Sequence, residues 1–101
     1  MTLDVKIDGA NVLGVLTGRL DTAAASQFAR DMEKLMDNAD KTITLDCKAL
    51  EFISSSGLRH FLTLRKQTIA QGGKVIIKGV NAEIKQVFTI TGFYSLFEFE
   101  D

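Results

Sequence analysis

The chain has 101 residues, 46% of them apolar and 25% charged, a balance that fits one globular unit with one core rather than a disordered chain. A formal net charge of -1, from 12 basic and 13 acidic residues, supplies no field of one sign and argues against nucleic-acid binding. A single cysteine, Cys47, excludes an intrachain disulfide and a multi-cysteine metal site, and no apolar run approaches the roughly 20 residues of a membrane span.

Leu3, Val5 and Ile7 alternate with polar residues, the pattern of a half-buried strand. Asp8-Gly9-Ala10-Asn11 reads as a hairpin turn, and Val12-Leu13-Gly14-Val15-Leu16 as a more fully buried second strand. After Gly18-Arg19-Leu20-Asp21 the period changes. Ala25, Phe28, Met32, Leu35 and Met36 repeat at three and four residues, one apolar helix face with Asp21 or Thr22 as N-cap. Ile43 and Leu45 mark a third strand running into Asp46. Leu58, Phe61, Leu62 and Ile69 signal a second helix that stops at Gly72-Gly73. Val75-Ile76-Ile77, flanked by Lys74 and Lys78, is a short buried strand whose lysines read as solvated strand ends or an edge guard. Asn81 caps a third helix carrying Ile84, Val87 and Phe88, and Leu96-Phe97 with Phe99 forms a last strand. The order β-β-α-β-α-β-α-β predicts an α/β fold: a mixed, largely parallel sheet with an N-terminal antiparallel strand and packed helices, in a single domain over 1–101.

The segment Leu45-Asp46-Cys47-Lys48-Ala49-Leu50-Glu51-Phe52-Ile53-Ser54-Ser55-Ser56-Gly57-Leu58 takes a strand through a polar turn into a helix. Ser56 is read as the N-cap of that helix, its hydroxyl satisfying an orphan N–H. A phosphate there would add about -1.5 to -2 charges at a helix end that tolerates anions. Read blandly, Ser-Ser-Ser-Gly is an ordinary polar turn with a capping serine.

This segment is similar to the STAS family signature, in which the turn reads Asp-Ser-Ser-Gly-Leu or Asp-Ser-Thr-Gly-Leu, and Gly18-Arg19-Leu20-Asp21 resembles the family's Gly-x-Leu-Asp loop before the first helix. The resemblance covers nearly the whole chain and is to the anti-sigma factor antagonist type. It implies phosphorylation of Ser56, the hydroxyl residue immediately before Gly57-Leu58. It also implies a partner surface that includes Asp21, Ser54, Ser55, Gly57 and Leu58. Ser54 stands where the family usually has Asp. The implied partners are an anti-sigma factor with serine kinase activity, bound by the unmodified form, and a phosphatase that resets the phosphorylated form.

Other residues invite weaker readings. His60 lies four residues after Ser56, but a Ser-His pair lacks the third orienting group and the Gly-x-Ser-x-Gly context of a hydrolase, so no enzymatic activity is expected. Asp21 and Asp46 invite a metal at one sheet edge, yet an N-cap and a strand-end hydrogen bond are the simpler roles, and neither a metal nor another cofactor is expected. Cys47 reads as an apolar filler. Phe93, Tyr94, Phe97 and Phe99 read mainly as closing the core, with any exposed rings available to a dimer or partner. Met1-Thr2-Leu3-Asp4 has no basic region followed by an apolar run, so no signal peptide is expected and the protein is read as cytoplasmic, a monomer or weak dimer without membrane insertion. The rival expectation keeps the fold but makes the chain a non-phosphorylated STAS adaptor, such as the small subunit of a lipid-transport ABC system or part of a signalling scaffold.

Overall fold

In the computed structural model, which describes residues 1–100, the first two strands form the expected hairpin around Gly9. β1 (Thr2–Asp8) runs antiparallel to β2 (Asn11–Leu20), with Leu3 opposite Leu16 and Val5 opposite Gly14. β3 (Thr42–Ile53), β4 (Lys74–Lys78) and β5 (Glu98–Glu100) follow in parallel, giving one sheet in the order β1-β2-β3-β4-β5. The helices are α1 (Thr22–Asp31), the single turn α2 (Glu33–Met36), α3 (Ser55–Gln71) and α4 (Ala82–Ile90). The mixed, mainly parallel architecture is the one the sequence pattern predicts.

One face of the sheet carries the core. Val12, Leu16 and Leu20 of β2, Ile43, Leu45, Cys47, Leu50 and Ile53 of β3, and Val75 and Ile77 of β4 are all buried. Helices supply the opposite wall through Phe28, Met32, Leu35, Leu58, Phe61, Leu64, Ile84 and Phe88. Phenylalanine rings run through this core in sequence: Phe28 to Phe61 at 5.9 Å, Phe61 to Phe88 at 6.0 Å, and Phe88 edge-on to Phe97 at 5.6 Å and to Phe99 at 5.2 Å. Ring pairs at these separations add roughly 0.5–1.5 kcal/mol each beyond the area they bury.

Five local expectations change. The first helix is divided at Met32, although its apolar face continues through Phe28, Met32 and Leu35. β3 extends to Ile53, well past Asp46, because the far half of β2 needs a partner: Thr17 pairs with Ala49, Arg19 with Phe52 and Leu20 with Ile53. Bulges shift this register between Val15 and Thr17 and again between Gly18 and Arg19, so the strict period of two is lost just where the strand continues. The same pairing makes Gly18-Arg19-Leu20 a strand end rather than a loop. Leu96 belongs to a 3-10 turn (Tyr94–Leu96), and the last strand begins only at Glu98. Ile7 and Ile69, expected on buried faces, are exposed at 53% and 60%; on α3 the buried stripe runs through Leu58, Phe61, Leu64 and Thr68 instead. Thr68 joins it because its hydroxyl donates to Arg65 O at 2.8 Å.

Lys74 and Lys78 stand at the ends of β4, which lies between β3 and β5, so they guard no sheet edge. Lys74 meets Glu98 of β5 at 3.5 Å across the exposed surface. The C-terminal aromatics divide: Phe97 is buried, Phe93 and Phe99 pack partly against the core, and Tyr94 is exposed but stacks on Phe99 at 4.6 Å.

Candidate functional site

Parallel strands deliver their C-terminal ends to one edge, and there the chain turns repeatedly into helices. Asp21 follows β2 in extended backbone (φ -87°, ψ -179°), and its carboxylate Oδ1 accepts the Ala24 N–H at 2.9 Å. Ser54 follows β3 in nearly the same conformation (φ -87°, ψ 168°), and its Oγ accepts the Gly57 N–H at 3.1 Å. Asn81, after β4, accepts the Ile84 N–H at 2.8 Å. Each cap satisfies a donor that the first turn of a helix leaves without an intrahelical partner. The result is the N-termini of α1, α3 and α4 on one rim, a surface of net positive partial charge.

The first two of these starts are tied together directly. Ser54 N–H donates to Leu20 O at 2.8 Å, and Leu20 is the register partner of Ile53. Gly57 is buried against the same leucine. A Cβ at position 57 would lie 2.6 Å from Leu20 Cγ and 3.2 Å from Leu20 O, so the close approach of α3 to β2 requires glycine. Leu58 points inward and is 2% exposed. The Gly57-Leu58 pair therefore fixes where the serine turn sits, while the turn itself faces out.

The cap on α3 is Ser54 and not Ser56. Backbone direction decides this. Ser54 is the last extended residue, whereas Ser55 and Ser56 already have helical neighbours and occupy the first and second helical positions. Ser54 thus caps the helix at the position where the family signature carries Asp, and Ser and Asp are nearly equivalent as caps. Ser55 is exposed and Ser56 half-buried, and neither hydroxyl is committed to a hydrogen bond among the described residues. The first turn of α3 contains no acidic side chain.

Asp21 joins this site, but Asp46 does not. Asp46 pairs with Val15, five strand residues back from Leu20, which is about 17 Å along the sheet. Its Oδ1 accepts the Lys48 N–H at 3.1 Å, and Lys48 Nζ lies 3.7 Å from its other oxygen. Among the described residues, no three ligating side chains gather to hold a metal. His60 packs edge-on to Phe28 with ring centres 6.0 Å apart, a packing role. Cys47 is fully buried; desolvation first, and the Asp46 carboxylate second, push its thiol up to about 12, so it stays protonated and inert.

One feature escapes sequence reasoning. Arg19 lies over the Phe52 ring at 4.6 Å, on the outer face of the sheet just below the turn. The two residues are register partners only because of the bulge between Gly18 and Arg19, which no local pattern announces.

Comparison with known proteins points one way. The STAS domain family model matches residues 2–101. A Bordetella bronchiseptica protein that carries the name anti-sigma factor antagonist BtrV is 33% identical over 97 residues, covering 96% of this chain and 82% of its own length. A Thermotoga maritima structure described as an anti-sigma factor antagonist superposes with a TM-score of 0.87 at 21% identity, covering 98% of this chain and 86% of that one. The Bacillus cell fate determinant SpoIIAA, solved in its phosphorylated form, gives a TM-score of 0.74 at 20% identity over 99% of this chain and 91% of that one. These last two likenesses concern the fold.

Proposed function

This chain belongs to the STAS domain family, and we propose that it is an anti-sigma factor antagonist: a binding switch, without enzymatic activity of its own, that acts in the cytoplasm. In this reading the unmodified form binds an anti-sigma factor that is also a serine kinase, and so releases a sigma factor. The contact is made by the start of α3 and the Asp21 cap beside it. The kinase passes the terminal phosphoryl group of ATP to a serine oxygen in the turn, ADP leaves, and the phosphorylated form lets go. A phosphatase hydrolyses the ester and restores binding.

One observation carries the proposal: Ser54 takes the capping role, which leaves the Ser55 and Ser56 hydroxyls uncommitted on an outward-facing turn. The modification is compatible with the fold, since a phosphate at the first or second helical position meets free N–H groups and the favourable end of the helix dipole. Its effect is therefore felt at the surface, where a partner would face a strongly hydrated dianion. A loss of about 3 kcal/mol at such an interface is roughly a hundredfold in affinity. Motif position assigns the phosphate to Ser56; exposure favours Ser55 as a second acceptor in the same turn.

The bacterial relative named as an anti-sigma factor antagonist supports the job, and the phosphorylated SpoIIAA fold supports the modification. The Ser54 cap supports this reading over the non-phosphorylated adaptor, because the turn keeps its capped geometry without the family's usual Asp. The test is incubation with the cognate kinase and ATP, followed by mass mapping of the tryptic fragments. Phosphate on Ser56 or Ser55 is the expected result. A protein that carries none, and whose Ser55→Asp and Ser56→Asp variants bind the partner as tightly as wild type, is not a phosphorylation switch.

A further inference from the structure

Arg59 lies one helical turn beyond the serines and is exposed. It stands four residues after Ser55 and three after Ser56, the two spacings that bring side chains alongside each other on a helix, with Cβ atoms about 5–6 Å apart. Anion first and cation later is also the favourable order with respect to the helix dipole. The other arginines near α3 are engaged: Arg19 lies over Phe52, and Arg65 donates through Nε to Leu96 O at 2.6 Å. The ion pairs among the described residues join Lys48 to Asp46 and Lys74 to Glu98, so Arg59 has no carboxylate partner there.

Resting on the phosphorylation proposed above, we infer that Arg59 receives the phosphate of a modified Ser55 or Ser56, its guanidinium N–H groups donating to the phosphate oxygens along the flank of α3. Guanidinium and phosphate match as a planar fork to a pair of oxygens, and such charge-assisted bonds are about twice as strong as neutral ones. The contact has two consequences. It holds the dianion in one place on the helix. It also withdraws the Arg59 charge from the surface offered to the partner, so a single modification both adds negative charge and removes positive charge at the interface. The segments leading to this rim carry further charges, Asp21 at the α1 cap, Arg19 at the end of β2 and Glu51 in β3, while the His60 ring packs against Phe28.

The test uses full-length protein with phosphoserine genetically encoded at position 55 or 56, and phosphorus NMR to follow the second ionisation of the phosphate. In the Arg59→Gln background that ionisation moves up by about 0.3 pH unit at one or both positions, the size expected of a helix-surface ion pair. Arg59→Lys restores part of the difference, and high salt abolishes it. The same ionisation in wild type and Arg59→Gln at both positions overturns the inference, as does a shift produced by Arg19→Gln in its place. Partner binding by the same phosphoproteins is read separately. An unchanged ionisation with lost binding removes the Arg59 contact and spares the switch; a shifted ionisation with undiminished binding does the reverse.

Discussion

Ser54, Gly57 and Leu20 make one local unit, and each has a measurable part. Ser54→Ala removes the bond to the Gly57 N–H and lowers stability by about 1 kcal/mol, whereas Ser54→Asp keeps the cap and costs little, both read from urea unfolding. Gly57→Ala forces a methyl into Leu20 and costs about 1–3 kcal/mol; in a Leu20→Ala background the added cost of Gly57→Ala falls, because the 2.6 Å contact is gone. Cys47 gives a pH dependence. Its folded thiol is raised from an ordinary 9.0 to about 12, so the unfolded chain loses its proton first. Stability from this group is intact below about pH 9 and declines as pH rises from there towards about 12, by up to about 1.4 kcal/mol per unit. Cys47→Ala flattens that slope. At this scale the sequence located the turn but not the roles within it. Three successive serines are equally good caps by type, and the extended backbone of Ser54, paired through its N–H to Leu20 O, selects the first of them.

Among the elements, α3 links site and core. Its outward start carries the serines, and its buried stripe anchors that start through Leu58 and Phe61. Phe61 touches rings on both sides, so Phe61→Ala costs about 3–5 kcal/mol in chemical denaturation. Elements with an unbroken period were legible from sequence: the hairpin, β4, α4 and most of α3. The second half of β3 was not, because two bulges interrupt its alternation against β2. That segment is the part that matters for the site. Without it, Ser54 would not reach Leu20, Asp46 would be placed at the functional rim, and Arg19 would not meet Phe52.

For the whole molecule, the strand order sets where the proposed switch sits. Three strands ending on one rim bring three helix N-termini together, and the sequence pattern of alternating strands and helices already implied that rim. A phosphate added there changes the surface without breaking a core contact, which is what a reversible switch requires. Far-ultraviolet circular dichroism of the phosphoserine proteins should therefore match that of wild type. The most direct measurement is calorimetric titration of the kinase-type anti-sigma factor with unmodified protein and with protein carrying phosphoserine at 55 or at 56. The account predicts tight binding of the unmodified form and a loss of about a hundredfold or more on phosphorylation. Equal affinity of all three forms would contradict it.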